Sequence, residues 1–156
     1  MDKPTVDQLN TFLNAEFPQT QCTLLALSPM AAVVRHPVGS GELRPGGTVS
    51  GPVMMGLADV ALYLAILGEI GIVPLAVTTS LSFNFLRKPK SDAALVAVCK
   101  LIKLGKTLAV GEVSIYSEND DAPVAHAVGT YAIPKNQMKT WIFNKPSYFM
   151  YRISNR

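Results

Sequence analysis

RPGGTVSGPVMMGLADVALYLAILGEIG, residues 44–71, joins a glycine-rich approach to an almost wholly apolar segment. Across residues 52–70 apolar side chains recur on every face of the expected helix, and the obvious polar exceptions are Asp59, Tyr63 and Glu69. A helix that is apolar all round is normally enclosed by other structure. The sequence therefore predicts a central helix, with one carboxylate, Asp59, in its middle.

A membrane-spanning helix is the competing interpretation of this segment. The apolar run 53–67 extends only about 22 Å, which is short of the roughly 30 Å hydrocarbon core of a bilayer. Asp59 would also lie near mid-depth, where a carboxylate is costly. A helix buried in a globular core is the preferred prediction.

Strand patterns lie on both sides of the predicted helix. A short amphipathic helix over residues 6 to about 16 is followed by a hairpin of QCTLLAL (21–27) and AAVVRHPV (31–38), and the glycine-rich residues 39–51 are predicted to form an irregular loop. After the helix, Thr79, Leu81, Phe83 and Phe85 alternate with Thr78, Ser80, Ser82 and Asn84, the period-two pattern of a strand.

Three further strands complete the expected sheet: ALVAVCKLIKL (94–104), LAVGEVSIYS (108–117) and VAHAVGTYAI (124–133). The first two are joined by a GKT turn, as in a hairpin. Six strands and one long helix inserted after the first hairpin predict an α+β fold in which an antiparallel sheet wraps around the central helix.

Composition and charge favour one domain over residues 1–134, because 49% of the 156 residues are hydrophobic. The net charge of +3 is uneven: residues 135–156 hold five Lys/Arg and no acid, which leaves nine bases and eleven acids before them. That body has no basic stripe, so we do not expect nucleic-acid binding. The basic, aromatic tail 135–156 is predicted to pack on the body or on a neighbouring subunit, with partner or membrane-surface docking as the alternative.

The remaining chemistry-bearing residues predict neither a metal site nor a bound cofactor. Cys22 and Cys99 lie in apolar, strand-like runs, which favours buried free thiols over a disulfide. His36 and His126 are isolated from other potential ligands. The N-terminal segment lacks the pattern of a secretory leader, so the expected location is the cytoplasm.

Asp59 admits two explanations. Burying a carboxylate costs several kcal/mol unless it is paired, hydrogen-bonded or protonated. One explanation is a structural hydrogen bond, for example with Tyr63 one helical turn later. The other is a general base or nucleophile in a dry pocket.

The start of the same helix is a second candidate site. The first N–H groups of a helix have no intrahelical partner and lie at the positive end of its dipole, where they bind anions and carbonyl oxygens. Ser50 is predicted to be the N-cap, Gly51 permits close approach to the backbone, and Pro52 suits the first turn. A well-formed helix start without a ligand explains the same residues.

Together these segments resemble the PaaI-like branch of the hotdog-fold acyl-CoA thioesterases. GTVSGPVMMGLADVALY (47–63) fills the family pattern of a glycine loop, a His-Gly-Gly turn and an apolar helix with Leu-Ala-Asp. TTSLSFNFLRKP (78–89), KLGKTLAVGEVSIYS (103–117) and PVAHAVGTYAIP (123–134) match the strands that follow it. The resemblance covers about residues 20–134 and implies hotdog architecture and hydrolysis of acyl-CoA.

The resemblance also implies roles for individual residues. Asp59 corresponds to the catalytic carboxylate, and the Gly51 N–H corresponds to the group that polarises the thioester carbonyl. Two positions depart from the family, because Ser50 replaces a histidine and Pro52 replaces the second glycine. An imidazole and a second N–H are therefore absent from the helix start.

Distance implies that two subunits share the site. Gly51 and Asp59 are eight residues apart, about 12 Å along one helix, whereas a base and an oxyanion donor must both reach one carbonyl within about 3 Å. If both are catalytic, Asp59 must meet Gly51 of another chain, which predicts a two-fold homodimer. The resemblance implies the same assembly, often with dimers paired into tetramers.

Further residues are candidates for substrate binding. Thr78 or Thr79 is expected to orient the water or the carboxylate, as hydroxyl residues do near this position in the family. Coenzyme A carries phosphates, so a basic rim is expected. The full candidate set comprises Ser50, Tyr63, Thr78, Thr79, Asn84, Arg87, Lys88, Lys90, Lys103 and Lys106.

The resemblance leaves three functions to consider. The preferred one is hydrolysis of a medium-chain or aromatic acyl-CoA. A non-catalytic acyl-CoA binding or sensing module is the alternative, and the departures at Ser50 and Pro52 favour it. A hotdog hydratase is third, because such enzymes usually rely on a histidine where this chain has Ser50.

Overall fold

The computed structural model describes residues 2–135, so the predicted packing of the tail lies almost wholly outside the described residues. The helices are Val6–Glu16 (α1) and Gly51–Ile70 (α2), and the strands are Thr23–Ser28 (β1), Ala31–His36 (β2), Leu43–Arg44 (β3), Thr48–Val49 (β4), Val77–Phe85 (β5), Leu95–Leu104 (β6), Leu108–Ser117 (β7) and Pro123–Ala132 (β8). The six longer strands form one antiparallel sheet in the order β1-β2-β6-β7-β8-β5. The predicted α+β hotdog fold is confirmed.

Helix α1 begins with a capping box and is fixed to the edge strand β1 by one amide side chain. Thr5 and Gln8 form a capping box, in which each side chain accepts a hydrogen bond from the other residue's backbone N–H. The amide of Asn10 bonds both the N–H and the carbonyl of Leu24 at 2.9 Å. Phe12 of the anchored helix lies beside Tyr63 of α2, with ring centroids 6.3 Å apart.

Helix α2 is the core of the fold, as predicted. Eleven of its residues are buried, and it contacts β2, β6 and β7. It ends at Gly71, whose φ of 93° lies in the left-handed region that favours glycine. With twenty residues it spans about 30 Å. By length and composition it therefore could cross a bilayer, and the length argument made from residues 53–67 is wrong; its burial in the fold is what identifies it as a core helix.

One side chain of α2 inserts into the sheet between two glycines. Gly111 of β7 and Gly129 of β8 are register partners. A Cβ at these positions would lie 2.7 and 2.4 Å from methyl carbons of Leu62, which is 1% exposed. Because no larger residue fits without displacing the leucine, this glycine notch fixes the rotation of α2 against the sheet.

The predicted irregular loop at residues 39–51 is wrong in part. It contains a 3₁₀ turn at Ser40–Glu42 and a small hairpin, β3–β4, with Leu43 opposite Val49. Gly46 and Gly47 have φ of 94° and 75° and form the tight turn of that hairpin. The glycines therefore serve a turn between two short strands rather than interrupt all regular structure.

Strand β5 is confirmed, but its predicted faces are partly exchanged. The register with β8 shifts between Thr78 and Ser80, as in a β-bulge. Thr78 lies opposite Tyr131, and Leu81 lies opposite Gly129 on the inward face of β8. The extra residue at Thr79 therefore puts Thr78, not Thr79, on the helix side of the sheet.

Both cysteines are buried free thiols, as predicted. Burial raises the pKa of Cys22 and raises that of Cys99 to about 12. Both side chains therefore stay protonated and pack as small apolar groups.

Candidate active site

A cavity of about 720 Å³ lies between α1, residues 52–63 of α2 and the start of β5. Its lining is largely apolar, and Asp59 is the only charged side chain that α2 contributes. Asp59 itself is half-buried. The middle of α2 thus presents the Asp59 carboxylate to a cavity large enough for a small organic ligand.

Two hydroxyl groups hold one oxygen of Asp59. Thr78 Oγ1 donates a hydrogen bond to Oδ1, and the Tyr131 hydroxyl donates to the same atom at 2.7 Å. The Tyr131 hydroxyl also lies 2.9 Å from the backbone carbonyl oxygen of Asp59. Among residues 2–135 no hydrogen bond goes to Oδ2. The carboxylate is therefore anchored through Oδ1, which leaves Oδ2 for other chemistry.

The predicted hydrogen bond between Asp59 and Tyr63 is wrong. The Tyr63 hydroxyl instead donates to the Pro74 carbonyl at 3.0 Å, because its ring extends along the cavity toward the segment before β5. Its ring stacks on Tyr131 with centroids 6.2 Å apart and planes 19° apart. Burial raises the pKa of Tyr63 to about 12, so its phenol remains a donor.

The structure separates the two candidate threonines. Thr78 contacts the carboxylate, whereas Thr79 is exposed and its Oγ1 donates to the Thr130 carbonyl at 3.3 Å. Asn84 is also exposed and lies opposite His126 in the ladder between β5 and β8. Of these three candidates, only Thr78 lies at the cavity.

The start of α2 is built from backbone contacts. Ser50 is at the N-cap position, as predicted, but its side chain makes no capping hydrogen bond. Its N–H donates to the Glu42 carbonyl at 2.9 Å, which ties the helix start to the preceding 3₁₀ turn. A Cβ on Gly51 would lie 3.1 Å from the Phe85 ring, so the glycine allows that ring to pack on the first helical residue.

A second cavity, of about 390 Å³, opens at this helix start. Gly51 and Phe85 line it together with three cationic residues, Arg44, Arg87 and Lys88. Asp59 does not line this cavity, and Gly51 does not line the larger one. Within one chain the two residues proposed to act on one carbonyl therefore lie in different cavities.

The predicted basic rim is not assembled within one chain. Arg87 and Lys88 lie at the second cavity, and Lys90 pairs with Asp120 at 3.5 Å. Lys103 and Lys106 lie near the hairpin turn that precedes Leu108, at the end of the sheet where Leu108 and Ala132 pair. The ladder between β5 and β8 places Phe85, and hence Arg87, at the opposite end.

The two histidines contact different partners and not each other. His36 Nδ1 is 2.6 Å from the Pro37 carbonyl, and His126 Nε2 is 3.3 Å from Glu112 Oε2. Within residues 2–135, no cluster of three His, Cys, Asp or Glu side chains is placed to hold a metal ion.

Tyr131 is a site residue that sequence reasoning missed. The inward positions of β8 read Ala125, Ala127, Gly129 and Tyr131, so a single large hydroxyl-bearing side chain ends a row of small ones. That contrast was the available signal. Arg44 was missed too, because it lies in the segment that was predicted to be an irregular loop.

Comparisons with known proteins agree with the fold and identify a family. The family model described as thioesterase superfamily matches residues 46–124. A crystal structure of a protein from Silicibacter sp. TM1040, assigned as a thioesterase, is 43% identical, with a TM-score of 0.79 over 86% of this chain and 96% of that chain. A mutant of the phenylacetic acid degradation protein PaaI from Thermus thermophilus is 27% identical, with a TM-score of 0.65 over 80% of this chain and 99% of that chain. The expected relation to PaaI-like proteins is confirmed.

A more distant structure shares the fold alone. Zebra fish thioesterase superfamily member 2 is 19% identical, with a TM-score of 0.75 over 84% of this chain and 99% of that chain. No curated protein matches this chain.

Proposed function

The chain belongs to the thioesterase superfamily, and from this premise we propose that it hydrolyses an acyl-CoA thioester to a free acid and coenzyme A. The observation that supports the proposal is the position and hydrogen bonding of the Asp59 carboxylate. Its carboxylate lies in the wall of an apolar cavity, with Oδ1 held by two hydroxyls and Oδ2 without a hydrogen bond from residues 2–135. A general base or a nucleophile needs such an oriented and partly free oxygen.

The cavity beside Asp59 supports an acyl group as the part of the substrate that is buried there. Three aromatic rings follow one another along it, from Phe12 on α1 through Tyr63 to Tyr131. The Phe12 and Tyr63 centroids are 6.3 Å apart, close enough for direct ring contact. A medium-chain or aromatic acyl group would bury its apolar surface against these rings.

The reacting carbonyl is proposed to lie between two subunits. Gly51 and Asp59 are about 12 Å apart along α2 and line different cavities. One chain alone therefore does not present both residues to one carbonyl. A two-fold homodimer brings Gly51 of one protomer to Asp59 of its partner and creates two equivalent sites. Two such dimers paired into a tetramer would keep the same sites.

Hydrolysis then follows from the two groups. The Gly51 N–H, at the positive end of α2, stabilises the negative charge that develops on the thioester oxygen. Asp59 takes a proton from water while the water oxygen attacks the carbonyl carbon. As the carbon–sulfur bond breaks, the thiolate leaves and takes up the proton that Asp59 received from water. In the alternative route Asp59 attacks the carbon itself, and water hydrolyses the resulting anhydride.

Release of free thiol from a panel of acyl-CoAs of increasing chain length, with aryl-acyl members included, tests the activity. We expect turnover, with a maximum in kcat/KM for the acyl groups that fill the cavity beside Asp59. Binding of these thioesters without release of thiol would contradict hydrolysis. That outcome would favour the sensing module, a function consistent with a helix start in which Pro52 has no N–H and Ser50 supplies no imidazole.

The cationic cavity at Gly51 gives a prediction about the coenzyme. We expect Lys88→Gln to raise KM for acyl-CoA about threefold to tenfold, because the cavity loses a charge that attracts phosphate. KM for the matching acyl-pantetheine, which lacks the nucleotide phosphates, should not change.

The matched control is Lys100→Gln, which removes a charge that is also exposed but lies on strand β6, away from both cavities. Equal effects of the two variants, or an equal effect on both classes of thioester, would show that the coenzyme phosphates do not bind beside Gly51.

A further inference from the structure

The hydroxyl of Tyr131 contacts Asp59 at two points. It lies 2.7 Å from the side-chain oxygen Oδ1 and 2.9 Å from the backbone carbonyl oxygen of the same residue. A phenol has one proton to donate, so its hydrogen bond goes to one of these two oxygens or is shared between them. Because the hydroxyl bridges the side chain and the backbone of Asp59, it restrains the rotation of the carboxylate relative to α2.

Strand pairing explains why two hydroxyls reach one oxygen. Thr78 of β5 lies directly opposite Tyr131 of β8, next to the bulge at Thr79. Without the extra residue, the alternation of β5 would direct Thr78 to the outer face. The bulge therefore completes the pair of donors on Oδ1.

Tyr131 is well suited to a fixed donor role. It is 3% exposed, and its ring stacks on Tyr63. Burial, with a further contribution from the negative charge of Asp59, raises the pKa of the Tyr131 phenol far above its ordinary value. The hydroxyl therefore stays protonated at neutral pH and acts as a hydrogen-bond donor.

We propose that Tyr131 is a positioning residue that acts through Asp59: with Thr78 it holds Oδ1 and so directs Oδ2 to the reacting water or carbonyl. This inference rests on the proposed hydrolysis, because it assigns Tyr131 a part in the same site. Tyr131 needs no contact with the substrate to fill this role. Its contribution should therefore appear in the chemical step and not in binding.

Tyr131→Phe tests the proposal, since it keeps the ring and removes only the hydroxyl. We expect kcat to fall about tenfold and KM to change by less than about twofold, as for loss of orientation without loss of binding. The matched control is Tyr116→Phe on β7, which removes a phenol from the same sheet outside both cavities and should leave kcat unchanged.

A double variant separates positioning from a general structural role. In an Asp59→Asn background, Tyr131→Phe should cause no further loss of residual turnover, because both substitutions remove the same function. An additive loss, or a kcat for Tyr131→Phe equal to that of the wild type, would overturn the proposal while hydrolysis itself still stood.

A crystal structure of Tyr131→Phe decides the matter independently of turnover. We expect the Asp59 carboxylate to rotate or to occupy two conformers, with Thr78 as its remaining partner. An unchanged carboxylate would overturn the positioning role even if the wild-type protein released no thiol. Absence of thiol release from the wild type would count against the proposed function alone.

Discussion

Asp59→Asn is expected to lower kcat for acyl-CoA hydrolysis by at least about two orders of magnitude, the usual scale of a general-base contribution. The amide has the same shape, and its oxygen still accepts hydrogen bonds from Thr78 and Tyr131. It has no basic or nucleophilic oxygen to replace Oδ2. KM and the thermal midpoint should stay close to the wild-type values, because neither the acyl cavity nor the core is altered.

Steady-state release of free thiol measures this effect, with Asp92→Asn as the control. Asp92 is exposed before β6, so the same chemical change there should leave kcat intact. An Asp59→Asn variant that keeps more than about a tenth of the wild-type kcat would exclude a general-base or nucleophile role.

A single turnover in ¹⁸O-labelled water tests for a nucleophilic Asp59. Label found in the protein requires an anhydride whose aspartyl carbon is attacked by water, whereas attack of water on the acyl carbon labels the acid in either route. If Asp59 activates water, the acid formed in the first turnover contains the labelled oxygen. If Asp59 attacks the thioester and water then attacks the aspartyl carbon of the anhydride, the label enters the protein instead, and the first acid released is unlabelled.

Gly51→Pro is expected to lower kcat by about two orders of magnitude, as does loss of one oxyanion donor in other acyl-transfer enzymes. Proline removes the N–H of the first helical residue, and Ser50 already has the extended conformation that proline requires of its predecessor. Gly51→Ala is the matched variant. It adds the same Cβ against Phe85 but keeps the N–H, so it should retain most of the activity.

Mixing the two defective chains tests whether the site is shared between subunits. In a co-expressed mixture of Gly51→Pro and Asp59→Asn chains, half of the dimers are mixed, and each mixed dimer has one site with neither defect. Activity should return to about a quarter of the wild-type value for a two-fold dimer with random pairing. A mixture no more active than its components would place both groups in one chain or exclude one of them.

The sequence was most informative where the signal was local and repeated. The all-round apolarity of residues 52–70 was sufficient to predict α2, and alternation within single strands was sufficient to predict the hairpin and the sheet. The helix position of Asp59 followed from the same pattern. Each of these features depends on neighbours a few residues apart.

The partners of Asp59 could not be predicted in the same way. Tyr131 reaches it only through the register of β8 against β5, and Thr78 only because a bulge at Thr79 shifts the faces of β5. One residue of register reverses every side chain of a strand. Periodicity alone therefore favoured Tyr63, which is close to Asp59 along the helix but bonds Pro74 instead.

The basic residues show the same limit at a longer range. Arg87 and Lys106 are separated by one strand and two turns along the chain, yet lie at opposite ends of the sheet because strand β6 runs the whole length between them. Proximity in sequence predicts proximity in space only across a tight turn.

The glycine notch that receives Leu62 couples the side-chain volumes that are possible at positions 62, 111 and 129. Leu62 is three residues from Asp59, and Gly129 is two residues from Tyr131, so a methyl group added at Gly111 or Gly129 would collide with Leu62 close to the acid and its phenol donor. We therefore expect positions 62, 111 and 129 to covary in volume: an alanine at 129 should be tolerated by an active enzyme only when the residue at 62 becomes smaller.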